Sequence, residues 1–387
     1  MNVLVTAPWY GPHDQGGGVA RQVQLVAEAL ARRGHVAVVS PNTRVARFER
    51  DEQNGLPLYR VYLREPPKGL FEVKRIIAFL LYFFPTIWRL RQIVKQEGTE
   101  IVHLNYVWSG QIYFAALRAL GGPPYVVTVR GDDAVRHHER SWPERTAASY
   151  ICHHAGRVVA NARGLAEIAR QTFGLADVGC VWNCVRFGDV PDEAGAAKLI
   201  GSVPRGYVLA LGGFRKQKGF DVLIRAWAQV RHRGTDRHLL LVGDDPLPEH
   251  LDLIRKTGCE DTIHCRGRAT REVVLALMRN AYCLAAPSRW EGMPNVLLEA
   301  GTLGCPVIGS AVGGIPEVIL DGETGLVVPA EDDAALAVAI DRYLADSQLR
   351  DRFAKAHTER VRAVFSEDKL ADNYTTIFND LLKADVT

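Results

Sequence analysis

Two rhythms of apolar and polar positions alternate along this chain. Short runs dominated by Val, Leu and Ile occur at NVLVT (2–6), HVAVVS (35–40), EIVHLNY (100–106), PYVVTV (124–129), RVVANA (157–162) and VGCVW (178–182). Between them, segments such as VARQVQLVAEALARRG (19–34), FAALRALGG (114–122) and TAASYICHHAG (146–156) place apolar residues three and four apart. The first rhythm predicts strands buried on both faces, the second amphipathic helices. Their alternation predicts a parallel sheet covered on both sides. The pattern loosens over 187–206, FGDVPDEAGAAKLIGSVPRG, whose Gly, Pro and acidic residues predict a linker. It restarts with YVLALGG (207–213), HLLLVGD (238–244), TIHCRG (262–267), YCLAAPS (282–288), CPVIGS (305–310) and GLVVP (325–329), again with helical segments between. The closing stretch SEDKLADNYTTIFNDLLKA (366–384) is helical and has no strand after it. The expected architecture is α/β, with two doubly wound Rossmann-like halves, 1–186 and 207–365, facing across a cleft. Residues 366–387 are expected as a helix crossing back to the first half.

One segment stands outside this rhythm. Residues 74–91, KRIIAFLLYFFPTIWRLR, hold an apolar run from Ile76 to Trp88 between Lys74, Arg75, Arg89 and Arg91, interrupted by Pro85. The run is shorter than the roughly 20 residues that span a bilayer. Two readings fit it: a buried helix, or an interfacial helix with Trp88 among the headgroups and the basic residues on anionic lipid.

Composition narrows the classes. A chain of 387 residues, 47% hydrophobic and 24% charged, is globular and long enough for two domains. A net charge of +3 does not call for nucleic acid. The seven cysteines include no CxxC and no neighbouring His cluster, so reduced thiols are expected and no metal site. MNVLVTAPWY has no charged n-region or long apolar core, which predicts a strand in place of a signal peptide and a cytoplasmic enzyme, peripheral on the membrane under the interfacial reading.

The candidate chemistry lies in the turns. Ligands of open α/β sheets bind beyond the carboxyl ends of strands, at helix N-termini. In EGMPNVLLE (291–299), Glu291 precedes a backbone broken by Gly292 and Pro294, and Glu299 sits in an apolar run. Pro294 suits the first helical position and Met293 cannot cap, leaving the amides of Asn295, Val296 and Leu297 for a ligand or water. GGFRKQKGF (212–220) follows a strand directly. Gly213 permits close backbone approach, and Arg215, Lys216 and Lys218 add positive charge. The turn Gly16-Gly17-Gly18 fails the dinucleotide fingerprint, because Arg21 stands where the third glycine belongs and Ser40-Pro41-Asn42 ends the second strand without an acid. Hydride chemistry is disfavoured. Glu291 and Glu299 share one short segment, which also disfavours a glycosidase acid–base pair.

With these residues in place, the chain resembles a GT-B retaining glycosyltransferase of the E-x7-E family (family four, group 1). The resemblance rests on Glu291 to Glu299 within PSRWEGMPNVLLEAGTLGCPVIGSAVGGIPEVILDGETGLVVP. It is supported by LGGFRKQKGFDVLIRAW, LVGDDP, VWNCVRFG and GGGVARQVQLVAEALARRGHVAVVS. It implies a hexosyltransferase that takes a nucleotide-diphosphate sugar, UDP before GDP, to a glycan, lipid-linked or small acceptor, with no cofactor and no metal. By the same resemblance Glu299 binds ribose hydroxyls, and Glu291 with the backbone of Gly292, Met293, Pro294 and Asn295 holds the donor sugar. The Asn295 and Val296 amides and Lys218 then lie on the diphosphate, and Gly17 and Gly18 approach phosphates from the first half. The family's front-side attack lets the leaving phosphate help deprotonate the acceptor.

Two positions depart from the family pattern. Gly212-Gly213 stands where Gly-Arg is usual, with Arg215 as the substitute cation. Arg130-Gly131-Asp132-Asp133 stands where His-Gly-x-Asp is usual. Arginine cannot be a general base, so Arg130 is expected to contact the diphosphate or an acidic acceptor. Two alternatives stay open on the sequence: a non-hydrolysing nucleotide-sugar 2-epimerase and a non-catalytic nucleotide-sugar binding subunit.

Overall fold

Each of the short Val-, Leu- and Ile-rich runs becomes a strand in the computed structural model, which describes residues 1–8, 10, 17–42, 48–67 and 72–386. The chain divides into two compact units, Met1–Cys184 with Glu367–Thr387, and Val185–Ser366.

The first unit holds β1 (Asn2–Thr6), α1 (Gly17–Ala31), β2 (His35–Pro41), β3 (Glu49–Gln53), β4 (Leu56–Val61), α2 (Val73–Gln96), β5 (Ile101–Asn105), β6 (Tyr125–Val129), β7 (Arg157–Ala160) and β8 (Gly179–Cys180). Its sheet runs β3-β4-β2-β1-β5-β6-β7-β8. Successive strand residues point to opposite faces. Leu4 therefore packs on one side with Val102 and Val127, while Val3 and Val5 pack on the other with Val23 and Val26 of α1. The last helix, Glu367–Val386, completes that second face with Leu370, Ala371, Tyr374 and Phe378.

Two elements differ from expectation. β3 and β4 form an antiparallel hairpin that the apolar pattern did not predict, because β3 is ERDEQ and exposed over most of its length. Its turn is Asn54-Gly55, both with positive φ (53° and 75°), the geometry that two-residue hairpins require. α2 runs unbroken through Pro85. Pro85 lies on the exposed face, where solvent can meet the carbonyl that proline leaves without a helical donor.

The second unit holds β9 (Val208–Leu211), β10 (Leu239–Val242), β11 (Ile263–Arg266), β12 (Cys283–Ala286), β13 (Val307–Ser310) and β14 (Leu326–Val328), all parallel, in the order β11-β10-β9-β12-β13-β14. β9, β10, β12 and β13 are buried along their whole length. The chain steps from β9 out to β11, then returns to β12 and steps the other way. This places a topological switch point between β9 and β12, and a ligand crevice is expected beyond their carboxyl ends. The segment predicted as a linker contains the helix Glu193–Ile200, capped by the Asp192 side chain, which accepts from the Gly195 N–H. The Asp192 N–H donates to the Glu272 carbonyl at 2.9 Å, so this stretch is packed structure of the second unit.

Candidate active site

The loops leaving β9 and β12 are stitched together at the switch point. The Arg289 N–H donates to the Gln217 carbonyl at 2.8 Å, Arg289 Nη1 to the Lys216 carbonyl at 2.8 Å, and Gln217 Nε2 to the Trp290 carbonyl at 3.2 Å. Arg289 also forks onto both oxygens of Asp221, each at 2.8 Å, and this pairing, first by hydrogen bonding, holds the Asp221 carboxyl down to about 2. On this brace Lys218 Nζ sits 2.6 Å from Glu291 Oε1, which also accepts from Ser288 Oγ at 2.9 Å. The two strongest candidates for chemistry, one from each loop, are thus in contact. Glu291 is 9% exposed and Lys218 24%, so the pair is shielded yet reachable.

Glycines allow this closeness. Gly219 has φ +64, and a Cβ there would stand 2.0 Å from the Pro287 carbonyl oxygen. A Cβ on Gly213 would lie 2.6 Å from Asp244 Oδ2 and 3.3 Å from Arg215 Nε, and the Arg215 N–H donates to the Gly213 carbonyl at 2.7 Å. On the other side, the Gly314 N–H donates to the Gly292 carbonyl at 2.6 Å and ties down the backbone after Glu291.

The helix after this backbone begins at Asn295, one residue later than expected. Pro294 is its extended N-cap residue (φ −76°, ψ 112°), with no side-chain cap bond. Of the three amides expected to await a ligand, that of Leu297 is closed by the Pro294 carbonyl at 3.2 Å. Glu299 lies on this helix, Asn295–Thr302, and does not join Glu291. Its Oε1 accepts from Arg271 Nη1, and Arg271 Nη2 reaches Asp189 Oδ2 at 2.7 Å. Arg271 and Ser288 are site residues that sequence reasoning missed, since nothing in the local pattern shows which carboxylate a distant side chain will meet. His357, from the helix Ser347–Val364, anchors the same segment through Nε2–H to the Leu297 carbonyl at 2.9 Å.

In the first unit, Gly17 (φ +56) and Gly18 open α1, while Gly16 lies outside the described residues. Arg130 follows β6 directly. Its backbone N–H, with those of Gly131 and Val107, donates to the Asp133 carboxylate at 2.7–3.1 Å. Burial raises the Asp133 pKa above the usual aspartate value against these hydrogen bonds. The Arg130 guanidinium is held by the side-chain oxygens of Asn183 and Asn105. Behind it, His103 Nε2 meets Thr128 Oγ1 at 2.8 Å, and Thr128 Oγ1 meets the Tyr374 hydroxyl of the last helix at 2.9 Å. Complete burial, and secondarily the Arg130 charge, keep His103 well below its ordinary pKa and neutral.

The comparisons with known proteins identify the family. A family model described as "Glycosyl transferase 4-like domain" matches residues 17–181, and one described as "Glycosyl transferases group 1" matches 205–346. The alpha-D-kanosaminyltransferase of Streptomyces kanamyceticus is 27% identical, over 76% of this chain and 81% of its own. The D-inositol 3-phosphate glycosyltransferase of Corynebacterium aurimucosum is 28% identical over 100% of this chain and 96% of its own. Among solved structures, Anabaena HepE in complex with UDP and glucose superposes with a TM-score of 0.74 at 18% identity, covering 98% of this chain and 100% of that one. The two doubly wound Rossmann-like units are the fold of the GT-B glycosyltransferases. The chain belongs to the family-four, group 1 glycosyltransferases, and it is an enzyme of that family.

Proposed function

We propose that this glycosyltransferase moves a sugar from a UDP-sugar to a hydroxyl of a glycan, lipid-linked or small acceptor, with retention of anomeric configuration and without a metal ion. The observation that carries this reading is the 2.6 Å contact between Lys218 and Glu291 across the two loops at the β9/β12 switch point. Lys218, with Arg215 beside Gly213, supplies the positive charge that a departing diphosphate needs. Glu291 and the backbone from Gly292 to Asn295 hold the donor sugar, the Asn295 and Val296 amides lie on the diphosphate, and Glu299 takes the ribose hydroxyls while Arg271 fixes its orientation. The anomeric carbon–oxygen bond to phosphate breaks as the acceptor oxygen bonds on the same face, and the acceptor proton passes to the leaving phosphate oxygen. UDP is the first nucleotide to test, being the one bound by HepE, which shares this fold.

α2 supports a second part of the proposal, a cytoplasmic enzyme peripheral on the membrane. By length and composition this helix of 24 residues is apolar enough to cross a bilayer. Ile87, Leu90 and Ile93 anchor its second half in the core of the first unit, which favours a helix lying on the surface of the bilayer. Ile77, Leu80, Leu81, Phe84 and Trp88 are each more than half exposed along one stripe, with Lys74, Arg75, Arg89 and Arg91 at its ends to meet anionic headgroups.

The test is thermal unfolding with UDP, GDP, ADP and NAD, on the wild type and on Glu299→Ala. A ligand at about a hundred times its dissociation constant adds roughly 2.7 kcal/mol. UDP is expected to stabilise the wild type and not the variant. Stabilisation by NAD alone, or by no nucleotide, would remove the proposal.

A further inference from the structure

A buried positive charge in the first unit has no counter-charge among the described residues. Arg130 is 6% exposed. Nη1 donates to Asn183 Oδ1 at 2.8 Å and Nη2 to Asn105 Oδ1, both neutral acceptors, and Nε has no partner. Two of the five guanidinium N–H groups are therefore used. Among the described residues no carboxylate stands within ion-pair distance of this head. Asp133 spends its oxygens on the backbone N–H groups of Arg130, Gly131 and Val107. His103 is neutral and offers no negative charge.

The amides around the head are also incompletely used. Asn105 Nδ2 and Asn161 Oδ1 are buried without partners, although Asn161 Nδ2 donates to the Arg130 carbonyl at 3.3 Å. Water is a far better solvent for a guanidinium than two amide oxygens, so withdrawing Arg130 from it is unfavourable unless an oxyanion completes the site. Phosphate and carboxylate match its planar fork in two-point hydrogen bonding, and Asn105 Nδ2 offers a further donor. The placement suits a ligand, because Asn105 and Arg130 both stand at the carboxyl ends of parallel strands, β5 and β6.

We infer that Arg130 and Asn105 bind an oxyanion, a phosphate or carboxylate group, carried by the acceptor. This rests on the proposed transfer to an acceptor hydroxyl and narrows the acceptor to an anionic one. The second unit has its own cations, Lys218 and Arg215, for the donor diphosphate, so the diphosphate's charge does not call for Arg130.

The test titrates inorganic phosphate and acetate, at constant ionic strength, into the full-length protein saturated with UDP, with binding read by thermal shift and calorimetry. Wild type is expected to bind at least one of the two anions, and the tighter one names the group. Arg130→Gln is expected to weaken that binding at least tenfold while UDP affinity stays within about twofold. Asn105→Asp places a carboxylate on the guanidinium, so it is expected to raise the Tm of the anion-free protein and to abolish anion binding. This variant keeps the inference testable if Arg130→Gln folds poorly. Unchanged anion binding in Arg130→Gln, a lowered Tm in Asn105→Asp, or UDP weakened in Arg130→Gln as much as the anion would each overturn it. A failure of the transferase reading would show differently, as wild type that does not bind UDP.

Discussion

His357 links acidity to the helix that carries Glu299. The side chain is fully buried, its Nε2–H is spent on the Leu297 carbonyl, and its Nδ1 has no partner among the described residues. Protonation would create a second N–H with no acceptor and a charge in an apolar site. Burial pushes the imidazole down to about 4, with the Leu297 carbonyl opposing and Arg360 reinforcing the shift. In the unfolded chain the value is about 6.5. The folded pKa is depressed, so His357 contributes stability that is present above pH 6.5 and lost as the pH falls from there towards 4. The full difference is on the order of 3 kcal/mol, and linkage places about 2 kcal/mol of it between pH 7 and pH 5. His357→Gln keeps an N–H for the Leu297 carbonyl but does not titrate. Urea unfolding at the two pH values should show wild type losing about 2 kcal/mol more than the variant. Equal losses in both would refute the reasoning, because every other titrating group is common to the two proteins.

Two further outcomes follow from the geometry. Gly219→Ala puts a methyl group 2.0 Å from the Pro287 carbonyl oxygen at φ +64, so it should cost roughly 2–4 kcal/mol in the second unit and weaken UDP binding, measured by thermal shift. Leu81→Ser, Phe84→Ser and Trp88→Ser together remove the exposed stripe of α2. Recovery with floated vesicles containing phosphatidylglycerol should fall about tenfold, with unfolding unchanged. Equal recovery of wild type and variant, or no recovery of wild type, would remove the membrane contact.

What was legible in the sequence follows from how local each determinant is. Outside the β3–β4 hairpin, the strands of both sheets announced themselves as apolar runs, because a strand covered on both faces needs nothing polar. β3 did not, since ERDEQ is an exposed edge and the only cue was Asn54-Gly55. The helix Glu193–Ile200 was hidden by its Gly-rich surroundings, although Asp192 three residues before Gly195 is a capping cue. In the site, the glycine turns and the Glu291–Glu299 spacing were visible because backbone freedom and charge are written locally. The pairing of Glu299 with Arg271 was not, because it joins residues from different helices. Arg130 stands out in the sequence as a departure from the family pattern, but its burial and, among the described residues, its lack of a carboxylate partner are properties of the folded sheet.

The placement of the last helix also has a consequence for synthesis. Leu370, Tyr374 and Phe378 fill one face of the first unit's sheet, and the Tyr374 hydroxyl closes the polar chain through Thr128 to His103. These residues leave the ribosome only after all of Val185–Ser366. At about 5–20 residues per second, the nascent sheet waits roughly 10–40 s with that face uncovered. Throughout that interval Val126 and Val159, which share this core with Tyr374 and Phe378, lack part of their cover, and a chaperone that shields the sheet would serve this protein better than one that acts on the finished chain.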